Sequence, residues 1–293
     1  MSNKNFNKGL ILTAIGSSWW GALGVIYFKY ISFVGHVEVV LHRSFWTTVL
    51  LIITTFFFSK WHTFKIIIFD KKKLFNLFFS GILVFLNWSI WIYAISNDKI
   101  IEASFGYFIM PILSVFFGYL FFNEKLNSKR TISLVIVMIS IFYLLIIDFK
   151  SIPWIGILVA LCWSTYNLIR KKASVDTDIG LLIESLFILP VVLISFYFIA
   201  QHNLNDFDIS NPFLMFILIL AGPMTLIPLF LYVKGVEICG LGPTGMIFFI
   251  TPSFQFILGF FLYDEPFNIQ QLVSFILIWI AVFIYMKDLY ENN

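Results

Sequence analysis

Apolar residues run along this chain in ten stretches of bilayer length, near 9–28, 37–58, 74–96, 101–122, 130–147, 153–170, 179–200, 213–236, 241–262 and 270–286. Short polar connections separate them. A hydrocarbon core about 30 Å thick takes roughly 20 apolar residues per helix. In lipid a backbone must satisfy its own hydrogen bonds, and these runs are too long and unbroken for barrel strands. The pattern predicts an all-α polytopic membrane protein with ten transmembrane helices. The first stretch follows Lys4 and Lys8 and has no small-residue cleavage site, so it reads as a retained helix.

The pattern also repeats. Residues 38–147 lie on residues 179–288 at a constant offset of 141 with no gap, which brings Gly81 onto Gly222, Pro111 onto Pro252, Gly118 onto Gly259 and Glu124 onto Glu265. The halves, 1–150 and 151–293, hold five predicted spans each. A unit with an odd number of spans enters the membrane from the opposite side when it recurs. The expectation is therefore two inverted-topology five-helix repeats, an architecture of carriers that bind substrate near the bilayer midplane.

Composition adds weight and orientation. The chain is 60% hydrophobic, 20% aromatic and only 12% charged, too little charge to cover a soluble fold of 293 residues. With the N-terminus in the cytoplasm, fifteen of the nineteen basic residues fall on the inner side. Lys29, Lys99 and Lys150 fall outside, and Arg43 is left within a span. The positive-inside bias then puts both termini in the cytoplasm. The net charge of +3 reflects that bias, and no soluble base-stacking platform suggests nucleic acid. Cys162, Cys239 and the four histidines are scattered without ligand spacing, so neither a metal nor a cofactor is expected.

The candidate chemistry lies inside the spans. Pro111 and Pro252 sit near the middle of spans four and nine, and each frees a carbonyl four residues earlier, at Tyr107 and Phe248. They are candidate hinges, with packing kinks as the alternative. Pro223 and Pro228 with Gly222 add a break in span eight. Ionisable residues within spans are costly and are candidate sites by default. Arg43 in span two and Glu184 in span seven superpose under the offset, one towards each surface. Arg43 reads either as a substrate contact or as a clamp paired with Glu38 or Glu102. Glu184 has no basic residue near it in its own span. It reads as a proton-coupling or amine-binding group, or as a packed protonated acid. Glu38 and His42, four apart on one helix face, form a candidate outer gate with Glu102. Asn87, Trp88, Tyr107, Trp163 and Tyr166 are candidate walls for an apolar or cationic substrate, although most aromatics in a chain with 37 phenylalanines face lipid or packing partners. Gly16, Ser17, Gly21 and Gly24 suit close helix approach in span one. Glu124 and Glu265, each just ahead of an N-cap signal (Asn127-Ser128 and Asn268-Ile-Gln-Gln271), read as structural.

These residues carry a resemblance. Glu38-Val-Val-Leu-His-Arg43, Leu86-Asn-Trp88, Glu102-Ala-Ser-Phe-Gly-Tyr-Phe-Ile-Met-Pro111, Leu220-Ala-Gly-Pro223, Ile250-Thr-Pro-Ser-Phe-Gln255 and Asp264-Glu-Pro-Phe267 together resemble the EamA family of the drug/metabolite transporter superfamily, most closely its RarD branch. The match runs over nearly the whole chain. It implies five plus five helices, a central cavity formed by spans one to four and six to nine, and spans five and ten at the periphery. It also implies export of small organic solutes, such as amino-acid-related metabolites or drugs. Met110 stands where the family pattern often has Asn, a departure that leaves the Pro111 hinge in place.

The expected function is thus a non-enzymatic carrier whose partners are a small-molecule solute, membrane lipid and, for coupling, protons, in a monomer or homodimer. An intramembrane enzyme acting on a lipid-linked substrate would have to use Glu38, His42 and Glu102. A passive channel or sensor is the other alternative, and neither explains inverted halves.

Overall fold

Runs of apolar residues in lipid have one inexpensive backbone solution, the α-helix, and all regular structure among the described residues is helical. The computed structural model describes residues 3–97, 99–148, 152–202, 204–262 and 269–291. Its first span is α1 (Asn3–Trp19), a π-helical turn (Trp20–Gly24) and α2 (Val25–Tyr30). Then follow α3 (His36–Phe57), α4 (Trp61–Phe69), α5 (Lys71–Ser96), α6 (Ile100–Phe122) and α7 (Ser128–Asp148). The second half holds α8 (Trp154–Ala173), α9 (Thr177–Gln201), α10 (Pro212–Cys239), α11 (Leu241–Ile247), α12 (Ile250–Leu262) and α13 (Ile269–Glu291). Among the described residues nine spans are long and apolar enough to cross a membrane. The 20-residue α8 falls short of that mark, because its last turn carries Arg170, Lys171 and Lys172.

Local signals explain several boundaries. Asn127 caps α7, its Oδ1 accepting from Arg130 N at 3.0 Å. Asn211 caps α10 in the same way, accepting from Leu214 N at 3.1 Å with Pro212 at the first helical position. The matching signal at Asn268, with Asp264, Glu265, Pro266 and Phe267, lies outside the described residues, as does Lys150. Two connections depart from the sequence pattern. A short helix, α4, occupies what reads as an inner loop, and span nine is two helices with a turn at Phe248 and Phe249.

Helix neighbours follow a regular scheme. The principal pairs are α1 with α10 and α8 with α5; α8 with α6 and the first span with α11 and α12; α3 with α10 and α9 with α5. Besides these, α3 packs on α9, α6 on α11, and α7 on α13. Shifting one half by 141 residues carries each relation onto another in the set or onto itself. The equivalent glycines show why. A Cβ at Gly81 would lie 2.9 Å from the backbone oxygen of Glu184, and one at Gly222 would lie 2.6 Å from Trp46 Cβ and 2.7 Å from its backbone carbon. Missing side chains at these two positions let α5 meet α9 and α10 meet α3 at backbone distance, the usual device where apolar helices gain nothing from burial against lipid.

Candidate functional site

The bundle contains a partly open central cavity of about 40 Å³. The π-helical turn contributes Trp20 and Gly24, α3 contributes Arg43, and α5 contributes Asn87, Trp88 and Trp91 from one face. Tyr107 of α6, Trp163 of α8 and Phe248 at the break between α11 and α12 complete the wall, with Phe28 above Arg43. A π-turn inserts an extra residue into the helical register and is common at functional sites; here it turns the Trp20 ring towards Trp163, with centroids 5.1 Å apart and edge-on. Phe248 lies 6.2 Å from Trp20 and 5.8 Å from Tyr107. The chamber as it stands holds a water or two, not a drug-sized solute.

Arg43 is the chamber's charge. It is 3% exposed, its Nε donates to Thr225 Oγ1 at 3.1 Å, and its guanidinium carbon lies 4.8 Å from the Phe28 ring centroid and 4.6 Å from that of Trp88. Among the described residues no carboxylate reaches ion-pair distance from it. The two acids considered as clamp partners are engaged elsewhere. Glu38 accepts from Asp206 N (3.0 and 2.8 Å) and Phe207 N (3.1 Å), pinning the loop between α9 and α10, and Glu102 accepts from Ile155 N at 2.9 Å at the start of α8. His42 Nε2 sits 3.5 Å from Glu38 Oε1, near enough to interact but not aligned as a hydrogen bond, while His42 Nδ1 accepts from Trp46 Nε1 at 3.2 Å. Glu38 and His42 are therefore neighbours, and Glu102 belongs to a separate contact. Asn87 Nδ2 donates to Val159 O at 2.9 Å and ties α5 to α8.

Glu184 and Tyr166 do not line this chamber. Glu184 is 2% exposed and lies 3.2 Å from Arg170 Nε, an ion pair without hydrogen-bond alignment. Its oxygens accept from Ser80 Oγ at 2.6 Å and from Tyr166 Oη at 3.4 Å. Arg170 also donates to the carbonyls of Val175 (3.3 Å), Asp176 (3.3 Å) and Thr177 (3.0 Å), the turn that leads into α9. In the sequence Arg170 is one of the inner basic residues and Glu184 has no basic residue near it on its own helix; the partner comes from the helix before. A void of about 20 Å³ touches Glu184, Ser44 and Thr47, and Trp88 stands between it and the central cavity, lining both.

Glu124 has more partners than its place at a helix end suggests. Asn123 adopts a left-handed conformation (φ 53°) and ends α6. The Glu124 carboxylate then accepts from Lys171 Nζ at 2.7 Å, Leu241 N at 2.8 Å and Gly242 N at 2.7 Å. This joins the ends of α6 and α8 to the start of α11. Gly240 makes the turn at φ +93°, open to glycine and strained for other residues. No local sequence signal reveals this tie, since its three elements are far apart in the chain.

The two prolines differ. Pro111 lies inside the unbroken α6, whereas Pro252 follows the break in span nine. The carbonyl of Phe248, which Pro252 would leave free for a ligand, accepts instead from Thr251 N at 2.9 Å. The expectation of two equivalent free carbonyls therefore fails at Phe248, because the broken helix closes a tighter turn there.

A multi-helix membrane bundle around a polar, aromatic chamber is the form of a small-solute transporter. The description "EamA-like transporter family" matches the chain twice, over residues 7–146 and 150–287, and the chain belongs to that family. It is 31% identical to the uncharacterized transporter YojE of Bacillus subtilis, over 97% of this chain and 95% of that one. Protein RarD of Escherichia coli is 29% identical over 98% and 97%. A solved crystal structure at 12% identity superposes with a TM-score of 0.68 over 97% of this chain and 98% of its own, a likeness of fold.

Proposed function

We propose that this protein is a secondary transporter that exports a small organic solute, amino-acid-related or amphiphilic, by alternating access around the Arg43 cavity. The observation that carries the reading is a buried guanidinium with no acid against it among the described residues, in an aromatic chamber at the centre of a membrane bundle. Desolvating an unmatched charge costs several kcal/mol, so it persists where a ligand or pathway uses it.

Ten spans in two inverted repeats, 1–150 and 151–293, form the frame, with α8 as the tenth span. The double match of the family description and the exchange of helix neighbours under the 141 shift support this. The bacterial relatives support an inner membrane and the bias of basic residues supports cytoplasmic termini, so the Glu124 tie is at the inner end. Arg43, Asn87, Trp88, Tyr107 and Trp163 contact substrate. The inner end is then closed by Glu124, and Glu38, His42 and Glu102 hold the outer loops as the opposite gate. Pro111 and the Pro252 break are the hinges between the two states. Protons couple at Glu184: its protonation releases Arg170 and loosens the turn into α9. Tyr166 acts through Glu184 instead of touching substrate.

The test is counterflow of labelled amino acids, amines and amphiphilic drugs in proteoliposomes, with and without a pH gradient. Saturable exchange of one class, accelerated by the gradient, is the expected result. Equal leak from protein-free liposomes for every class would overturn the reading.

A further inference from the structure

We infer that the solute is an organic anion, a carboxylate carried on a flat apolar or aromatic body, and that an amino group is no part of its recognition. This rests on the transport reading and names the substrate class of the same cavity.

Other buried arginines in this bundle are matched by acids. Arg170 faces Glu184 at 3.2 Å and Arg130 faces Asp288 at 2.8 Å. Arg43, as deeply buried, faces no acid among the described residues. With Nε given to Thr225, the two terminal nitrogens remain, and neither makes a hydrogen bond among the described residues. Those nitrogens are the planar fork that fits a carboxylate with two parallel bonds. The rings of Phe28 and Trp88 near the guanidinium offset part of its desolvation but supply no counter-charge. An incoming carboxylate would.

The other pole of a zwitterion has no seat. Glu184 is the acid that the sequence offers within a span as a partner for an amine. Arg170 holds it, and Trp88 stands between its void and the cavity. Among the described residues no Asp or Glu lines the central cavity. An ammonium there would meet Arg43 with nothing to balance the repulsion. The remaining wall, Trp20, Trp163 and Phe248, stacks edge-on and tilted at 5.1–6.3 Å and suits a ring or other flat apolar body. Because the cavity measures about 40 Å³, such a body enters only as these side chains separate.

The experiment uses matched series on several aromatic and alkyl bodies: the acid, its primary amide, the corresponding amine and the amino acid. Each is tested for counterflow in proteoliposomes of the wild type, Arg43→Gln and Arg43→Lys. The acid should exceed its amide, amine and amino acid by at least about tenfold, the margin expected for charge-assisted bonds. Arg43→Gln should abolish that margin and Arg43→Lys should keep part of it. The melting temperature of Arg43→Gln should not fall, because an unmatched buried charge is removed and a donor to Thr225 remains. Equal or better transport of amide, amine or amino acid, or an acid preference that survives Arg43→Gln, would overturn the anion assignment while leaving the carrier standing. Chloride competing as well as the carboxylates would show a site for small ions and overturn it too. If no member of any series moves, the transport reading itself falls.

Discussion

Alanine in place of Arg170 is expected to cost about 3–5 kcal/mol of stability, the cost of breaking a buried ion pair from one side. Two losses combine. Among the described residues Glu184, at 2% exposure, keeps only Ser80 and Tyr166 as partners, and the carbonyls of Val175, Asp176 and Thr177 lose their shared donor. Glu184→Gln should be milder, about 1–3 kcal/mol, because Arg170 still has three carbonyls to bind and the amide still accepts from Ser80. Thermal unfolding in detergent measures both. Replacing both residues with methionine should recover most of the loss, as apolar pairs often do in place of buried ion pairs. The same Glu184→Gln protein should exchange solute but no longer respond to a pH gradient. An unchanged response would remove Glu184 from coupling.

The second large effect is expected at Glu124. Its carboxylate receives one ammonium and two backbone amides from two other elements, so Glu124→Ala should shift the inner end towards opening by roughly ten- to a hundredfold, at about 1.4 kcal/mol per tenfold. Hydrogen exchange reads this directly: the amides of Leu241 and Gly242 should exchange faster by that factor while the centres of α3 and α9 stay protected. Lys171→Met should have a smaller effect, since both amide donors remain. If the Leu241 and Gly242 amides stay protected in Glu124→Ala, the tie is incidental to gating.

Much of the fold was legible because a lipid solvent leaves few choices. Long apolar runs become helices, and the offset of 141 that pairs Gly81 with Gly222 anticipates two equivalent close approaches. Arg43, Asn87 and Trp88 could be singled out for the same reason, since a charge or amide within an apolar run is costly. Arg170 could not. Beside Lys171 and Lys172 in the last turn of α8 it looks like one more interfacial cation, and only packing against α9 turns it inward. Tyr166 shares a helix with Trp163 three residues earlier, yet its hydroxyl reaches Glu184 and not the cavity. The π-turn at Trp20–Gly24 is equally hidden, because a register change of one residue leaves no trace in hydrophobic periodicity, whereas Pro252 marks the break in span nine.

The most direct test of alternating access is the reach of a thiol reagent to the cavity from each side. Tyr107→Cys, with Cys162 and Cys239 replaced by serine, would be labelled by a membrane-impermeant maleimide in right-side-out and inside-out vesicles. Labelling from both sides, with inner-side labelling enhanced by Glu124→Ala and outer-side labelling reduced in step, is the expected result. Labelling from one side alone in both backgrounds would contradict a carrier that alternates around Arg43.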